Sequence, residues 1–324
     1  MEVSRFPADY DGVIAGAPAA PWTRLAASFV FNRQAVFSPA GAPALGAKLG
    51  LITKAVLNKC DALDGVADGV LENPRACRFD PAELQCKAGV DPKTCLSAGE
   101  VTATRKLYTG PRLGNGSLML NGFAVGGETT GWDEWITSAK SSQFNFGTQF
   151  FRWFVYGDGS WEPSRFSINR DFAASADAGR ILNSDTADIR SFTRRGGKLI
   201  VFQGWSDAAI PPEATIRYFE AARDKSDPKG NNTRLFMAPG MGHCFGGPGP
   251  NSFDLLADLD RWAEHGKAPE RVVATKFPND LLALIKVPQK ALRTRPLCAW
   301  PKVARYNGSG STDDAANFSC VKPG

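Results

Sequence analysis

Histidine is scarce in this 324-residue chain. There are two, His243 and His265, so any chemistry that needs an imidazole has two candidates. His243 lies in Pro239-Gly-Met-Gly-His243-Cys244-Phe-Gly-Gly247, directly after the apolar run Arg234-Leu-Phe-Met-Ala238. An acid stands in the comparable place one unit earlier, where Gly204-Trp-Ser-Asp207 follows Lys198-Leu-Ile-Val-Phe-Gln-Gly204. Functional groups on an open α/β sheet gather at the carboxyl ends of the strands. An acid after one strand and a histidine after the next is the chain order of a Ser-Asp-His triad. In that role Asp207 would hold the imidazole in one tautomer and stabilise the imidazolium, with His243 as general base toward a serine. Both residues also read as ordinary turn and loop positions, and the pattern alone leaves the two readings open. His265 falls in the last turn of a predicted helix, where a cation suits the helix dipole and a solvent-facing structural role is expected.

A nucleophile is harder to find. The strand-to-helix elbow of a serine hydrolase is written G-x-S-x-G, and the chain contains no such pentapeptide. Gly204-Trp-Ser206-Asp207-Ala208 comes nearest, but it ends in alanine and puts Ser206 beside the proposed acid. A second set of chemical groups is acidic. Asp61, Asp64 and Asp68 recur at spacings of three and four in Cys60-Asp-Ala-Leu-Asp-Gly-Val-Ala-Asp-Gly-Val70. Carboxylates mixed with carbonyls of a glycine-bent loop suit a hard cation, although the order is not that of an EF-hand. Taken alone, the segment also reads as a solvated acidic turn. The seven cysteines are an odd number, with Cys60, Cys77, Cys86 and Cys95 in one cluster and Cys298 and Cys320 in another.

The elements that must position these groups are clearest in the C-terminal half. Lys198–Gly204 has the continuous apolar character of a strand buried on both faces. Glu213–Lys225 carries Ile216, Phe219 and Ala222 at helical spacing, and the run from Arg234 predicts the next strand. A further helix bears Leu255, Leu256, Leu259 and Trp262, with Asn251 or Ser252 as its cap and Gly266 as its stop. Asp11–Pro18 predicts a third strand of the same sheet. From about residue 21 to 175 the texture changes to Gly, Pro, Asn and Ser with poor periodicity, and aromatics crowd Trp132 to Trp161. The expectation is an α/β sheet domain assembled from residues 1–20 and 176–324, with residues 21–175 inserted as a large irregular cap.

Composition sets the outer limits. With 43% apolar and 22% charged residues the chain is globular in type, and disorder, collagen and coiled coil are excluded. The net charge of +5 is spread without a basic block, so no nucleic-acid partner is expected. No apolar run approaches the roughly 18 residues that cross a membrane, and no signal-peptide core follows Met1.

Five segments together resemble the tannase and feruloyl esterase family. They are Arg5-Phe-Pro-Ala-Asp-Tyr-Asp-Gly-Val-Ile-Ala-Gly-Ala-Pro18, Cys60–Gly69, Gly204–Ala208, Pro239–Cys244 and Arg293-Thr-Arg-Pro-Leu-Cys298. They occur in the family's order from residue 5 to the end. The resemblance implies an α/β-hydrolase core, incomplete at its N-terminus, with a large inserted lid. It also implies a Ser-Asp-His triad that cleaves esters of aromatic acids, with Asp207 and His243 in the acid and base positions. The family's serine precedes the Arg-Phe-Pro segment in a G-C-S-x-G-G elbow, so serine and oxyanion hole are expected in an N-terminal part of the same esterase that is missing here. The chain as given is then expected to be inactive.

The same resemblance assigns Asp61, Asp64 and Asp68, with the carbonyls of Val66 and Val70, to a calcium ion in the lid. It pairs Cys60 with Cys77, Cys86 with Cys95 and Cys298 with Cys320, although six cysteines alone leave many pairings open. Cys244 is left over, since the family bonds that position to the cysteine beside the serine. Bridged cysteines imply an oxidising compartment, secreted or periplasmic. A thiol beside the His243 imidazolium is expected to be acidified. The aromatic acyl group needs an apolar wall, for which Trp135, Phe146, Phe150, Phe151 and Ile210 are the candidates. Some members of the family set a lid arginine against the carboxylate of a terephthalate monoester. No counterpart stands out between Gln143 and Arg152, which favours a feruloyl- or galloyl-type ester. The competing expectation is a non-catalytic, calcium-binding, disulfide-stapled module derived from such an esterase.

Overall fold

The computed structural model describes residues 1–37 and 42–323. Its centre is a three-stranded parallel sheet of β1 (Gly12–Gly16), β2 (Lys198–Gly204) and β3 (Thr233–Ala238), in the order β1-β2-β3. Gly12 lies opposite Lys198, and Leu199 opposite Thr233. Alternation along the strands divides the core. Val13, Ala15, Leu199, Val201, Leu235 and Met237 face one side, where Ile216 and Phe219 of the helix Pro212–Ser226 cover them. Ile14, Ile200, Phe202, Phe236 and Ala238 face the other, under Leu259 and Trp262 of the helix Leu256–His265. Both faces are therefore buried, as a parallel sheet requires. The two glycines of β1 are needed for that packing: a Cβ on Gly12 would lie 2.9 Å from Leu259, and one on Gly16 would lie 2.3 Å from the Phe202 ring.

The cap predicted for the last of these helices is corrected. The helix starts at Leu256, whose N–H is taken by Asp254 Oδ1 at 2.9 Å. Ser252 instead bridges to Thr275, while the Asn251 side chain donates to Gly249 O and Asp280. Gly266 ends the helix in the left-handed conformation, φ 67°, and His265 is exposed in its last turn.

The segment between β1 and β2 is more regular than its sequence predicts. It contains the helices Trp22–Phe37, Leu49–Cys60, Ala98–Thr109 and Ser142–Gln149, and further short helices run to Thr193. Trp22–Phe37 escapes detection because it is buried nearly all round. Leu25, Ala26, Ala27, Phe29, Val30, Ala35 and Val36 are all core residues, which erases the apolar stripe. After β3 the chain forms two antiparallel pairs, Arg271–Lys276 with Arg293–Cys298 and Val303–Tyr306 with Phe318–Val321. No helix of the described residues is long and apolar enough to cross a membrane.

Candidate active site

The loop after β2 is shaped around one carboxylate. Asp207 is 2% exposed, and its Oδ1 accepts from the backbone N–H of Ala209 at 2.7 Å and of Ile210 at 2.8 Å. Its Oδ2 accepts from Gln203 Nε2 at 2.8 Å and faces His243 Nδ1 at 3.0 Å. With four contacts on two oxygens, this carboxylate is fixed in place. Gln203 is held in turn, since the Thr215 hydroxyl donates to its Oε1 at 2.8 Å. Sequence reasoning missed Gln203. The available signal was a polar side chain near the end of a doubly buried strand, which must find partners.

His243 comes from the loop after β3 and is part-buried. Its Nδ1 faces the Asp207 carboxylate, so the proton belongs there and Nε2 is left as the acceptor. Desolvation is the largest influence on the ring and lowers its pKa. The hydrogen bond to Asp207, the charge of Asp207 and the charge of Glu134 outweigh it, and the net shift is upward from 6.5. Among the described residues no hydroxyl is hydrogen-bonded to Nε2. Ser206 is buried at 7% exposure, and its backbone N–H is taken by Met241 O at 3.0 Å.

Aromatic side chains lead away from the imidazole. Trp135 meets the His243 ring edge-on with centroids 5.1 Å apart, and Phe146 stacks on Trp135 at 6.4 Å. Trp22 meets Phe146 edge-on at 6.3 Å, and Phe146 is 49% exposed. Trp135 packs on His243, and Phe146 on Trp135. Phe150, Phe151 and Ile210 are buried in one core cluster with Leu25 and Trp161, so in this structure they pack the interior.

A family model described as tannase and feruloyl esterase matches residues 1–321. The chain belongs to the tannase and feruloyl esterase family. It is 35% identical to an uncharacterized esterase of Xanthomonas campestris pv. campestris, over 99% of this chain and 62% of that protein. It is 34% identical to a mono(2-hydroxyethyl) terephthalate hydrolase of Piscinibacter sakaiensis, over 100% of this chain and 61% of that protein. Among solved structures, an esterase from Aspergillus oryzae superposes with a TM-score of 0.87 at 25% identity, covering 99% of this chain and 66% of the other. The chain spans less than two thirds of the length of these curated relatives.

This tannase-family chain forms three disulfides, Cys60–Cys77, Cys86–Cys95 and Cys298–Cys320, with Cα separations of 5.5, 4.9 and 5.6 Å. Cys244 is free and exposed. The expected acidification of its thiol is corrected: partial desolvation of the sulfur raises its pKa, and the Asp207 charge raises it further. One maleimide per native chain should therefore attach at Cys244, slowly at neutral pH and faster as the pH climbs through the thiol range. Peptide mapping checks the position, and Cys244→Ser should abolish the label. Label on Cys298 or Cys320 would contradict the pairing.

The acidic loop turns its carboxylates inward. Asp61 accepts from Gly69 N–H at 2.9 Å, Asp64 from Val66 N–H at 2.9 Å and Asp68 from Val70 N–H at 3.2 Å. Asp68 is also paired with Arg293 at 3.0 Å and with Arg295. Burial, with the nearby Asp68 and Asp61 charges, raises Asp64 to about 6. A cavity of about 20 Å³ is lined by Asp64, Asp68 and Glu72, by Val66 and Val70, and by Arg295 among apolar neighbours; Asp61 is not in its lining. The volume has room for a single ion or water. Among the described residues, no three His, Cys, Asp or Glu side chains are gathered in a geometry ready for a metal.

Proposed function

We propose that this chain carries the acid and general base of a carboxylic ester hydrolase acting on esters of aromatic acids. The observation that carries the reading is the Asp207–His243 contact, with every remaining lone pair of Asp207 occupied by Gln203, Ala209 and Ile210. In this role His243 Nε2 takes the proton from an attacking hydroxyl and later returns it to the leaving alcohol. Asp207 keeps Nδ1–H in place and stabilises the imidazolium. The ridge of Trp135, Phe146 and Trp22 supports an aromatic acyl group of feruloyl or galloyl type. Residues 1–20 and 176–324 form the α/β-hydrolase core in this reading, and residues 21–175 form the lid. Three disulfides favour a secreted or periplasmic setting.

Product binding tests the reading without turnover. Ferulate or gallate should shift the His243 ring proton in an NMR titration and leave His265 unmoved, and Trp135→Ala should weaken the effect. No shift at millimolar acid would remove the substrate assignment. A second reading, a non-catalytic module of the same family, draws on an Nε2 with no hydrogen-bond partner among the described residues and on the lack of G-x-S-x-G in these 324 residues.

We propose further that the Asp61–Val70 loop holds calcium through Asp61, Asp64 and Asp68 with the carbonyls of Val66 and Val70. The support is that Asp64, Asp68, Val66 and Val70 line an ion-sized cavity, with Asp61 on the same loop, an oxygen-rich set that suits a hard cation. Bound calcium would neutralise the adjacent carboxylates and share Asp68 with Arg293 and Arg295. Calcium at 100 times its Kd should raise stability by about 2.7 kcal/mol over the EDTA-treated protein. Asp64→Ala should lose that gain in a thermal melt, and a wild type indifferent to calcium would dismiss the site.

A further inference from the structure

Glu128 is a fully buried carboxylate that the acid–base pair does not touch. Its Oε1 accepts from the Tyr108 hydroxyl at 2.5 Å and from Gly126 N–H at 2.8 Å, and its Oε2 accepts from the Thr53 hydroxyl at 2.9 Å. Tyr108 and Thr53 belong to the helices Ala98–Thr109 and Leu49–Cys60, so two helices grip one side chain. A group that is costly to bury is retained here with every contact satisfied.

The segment held in this way, Gly126–Gly131, touches both functional loops. Gly127 lies so close to Ser206 that a Cβ on it would be 2.8 Å from the Ser206 Cα. A Cβ on Gly131 would lie 3.6 Å from Ala208, so the segment brackets Asp207 on both sides. The Thr130 methyl would lie 3.2 Å from a Cβ on Gly242 and 3.0 Å from one on Gly247, which brackets the His243 loop. The Trp135 N–H donates to Gly131 O at 2.8 Å, so the same turn starts the short helix whose indole abuts His243. One six-residue turn thus contacts the acid loop, the base loop and the aromatic neighbour of the base.

We propose that Glu128 is a positioning residue: it braces the Gly126–Gly131 turn between the two loops and thereby sets His243 against Asp207. This rests on the reading of those two residues as an acid–base pair. Exchanging the carboxylate, or one of its donors, lets the turn move, and the His243–Asp207 contact loosens without either residue being altered.

The test is the titration of His243 followed by NMR in residues 1–324, with exposed His265 as internal reference. Asp207 and Glu134 are the charges that act on the ring. Glu128→Gln removes the carboxylate, whereas Tyr108→Phe and Thr53→Val remove single donors and leave every formal charge in place. The expected result is a lowered His243 midpoint in all three variants with His265 unchanged. Folded variants that melt earlier but titrate at the wild-type midpoint would overturn the proposal and leave Glu128 a purely structural residue. Should Glu128→Gln fail to fold, the two charge-neutral variants decide. Asp207→Asn run in parallel separates the premises: if it does not lower the midpoint, the pair reading itself falls.

Discussion

Presented with methyl ferulate, methyl gallate or a p-nitrophenyl ester, residues 1–324 are expected to release acid no faster than the uncatalysed reaction. His243 Nδ1 is held on Asp207, but among the described residues no hydroxyl lies on Nε2, and the 324 residues contain no G-x-S-x-G elbow to place one. Loss of the nucleophile from a Ser-Asp-His triad removes about 10⁶-fold in kcat. Ser206 is the residue on which the expectation could fail. It is buried, its N–H is committed to Met241 O, and Gly127 presses on its backbone. Turnover that disappears in Ser206→Ala would show that it is the nucleophile after all.

Asp207→Asn is expected to drop the His243 midpoint below 6.5. Desolvation is the strongest influence on this ring and acts downward, and without Asp207 it is opposed by Glu134 alone. The sign for stability follows by linkage. In the wild type the folded midpoint lies above the unfolded one. The charged pair therefore stabilises fully below pH 6.5, and that stabilisation fades as the pH rises through the folded midpoint. Wild type and Asp207→Asn should differ most in melting temperature at mildly acid pH and converge in alkali. A gap independent of pH would mean that the pair contributes through shape and not through charge.

The parts legible in sequence are those in which neighbours along the chain share one environment. Lys198–Gly204 reads as a strand because all but Lys198 and Phe202 are fully buried, and its bounds are those of β2. The pairing of Asp207 with His243 is legible because each follows such a strand, and the structure sets them 3.0 Å apart. Trp22–Phe37 fails for the converse reason, since a helix packed on every side has no polar face to reveal its period. Gln203, Glu128 and Glu134 were missed because their roles depend on groups brought near by folding. No local pattern announces that the Tyr108 hydroxyl points at Glu128. The Cys244 thiol shows a subtler limit: adjacency to histidine suggests acidification, but partial desolvation of the sulfur and the carboxylate behind that histidine prevail.

The sheet brings residue 12 beside residue 198, whereas β2 and β3 bring residue 199 beside residue 233. Closing the longer span as loose chain costs about 1.5 kcal/mol more than closing the shorter one, because loop entropy grows with the logarithm of length. That difference orders the events of folding. The β2–helix–β3 unit can form by itself, but β1 pairs cheaply only after the intervening helices have collapsed and shortened the gap. The Cys60–Cys77 and Cys86–Cys95 bridges, 17 and 9 residues apart in sequence, lie within that stretch. The first strand in the chain is then the last to join the sheet, and its amides should be the earliest of the three to exchange with deuterium.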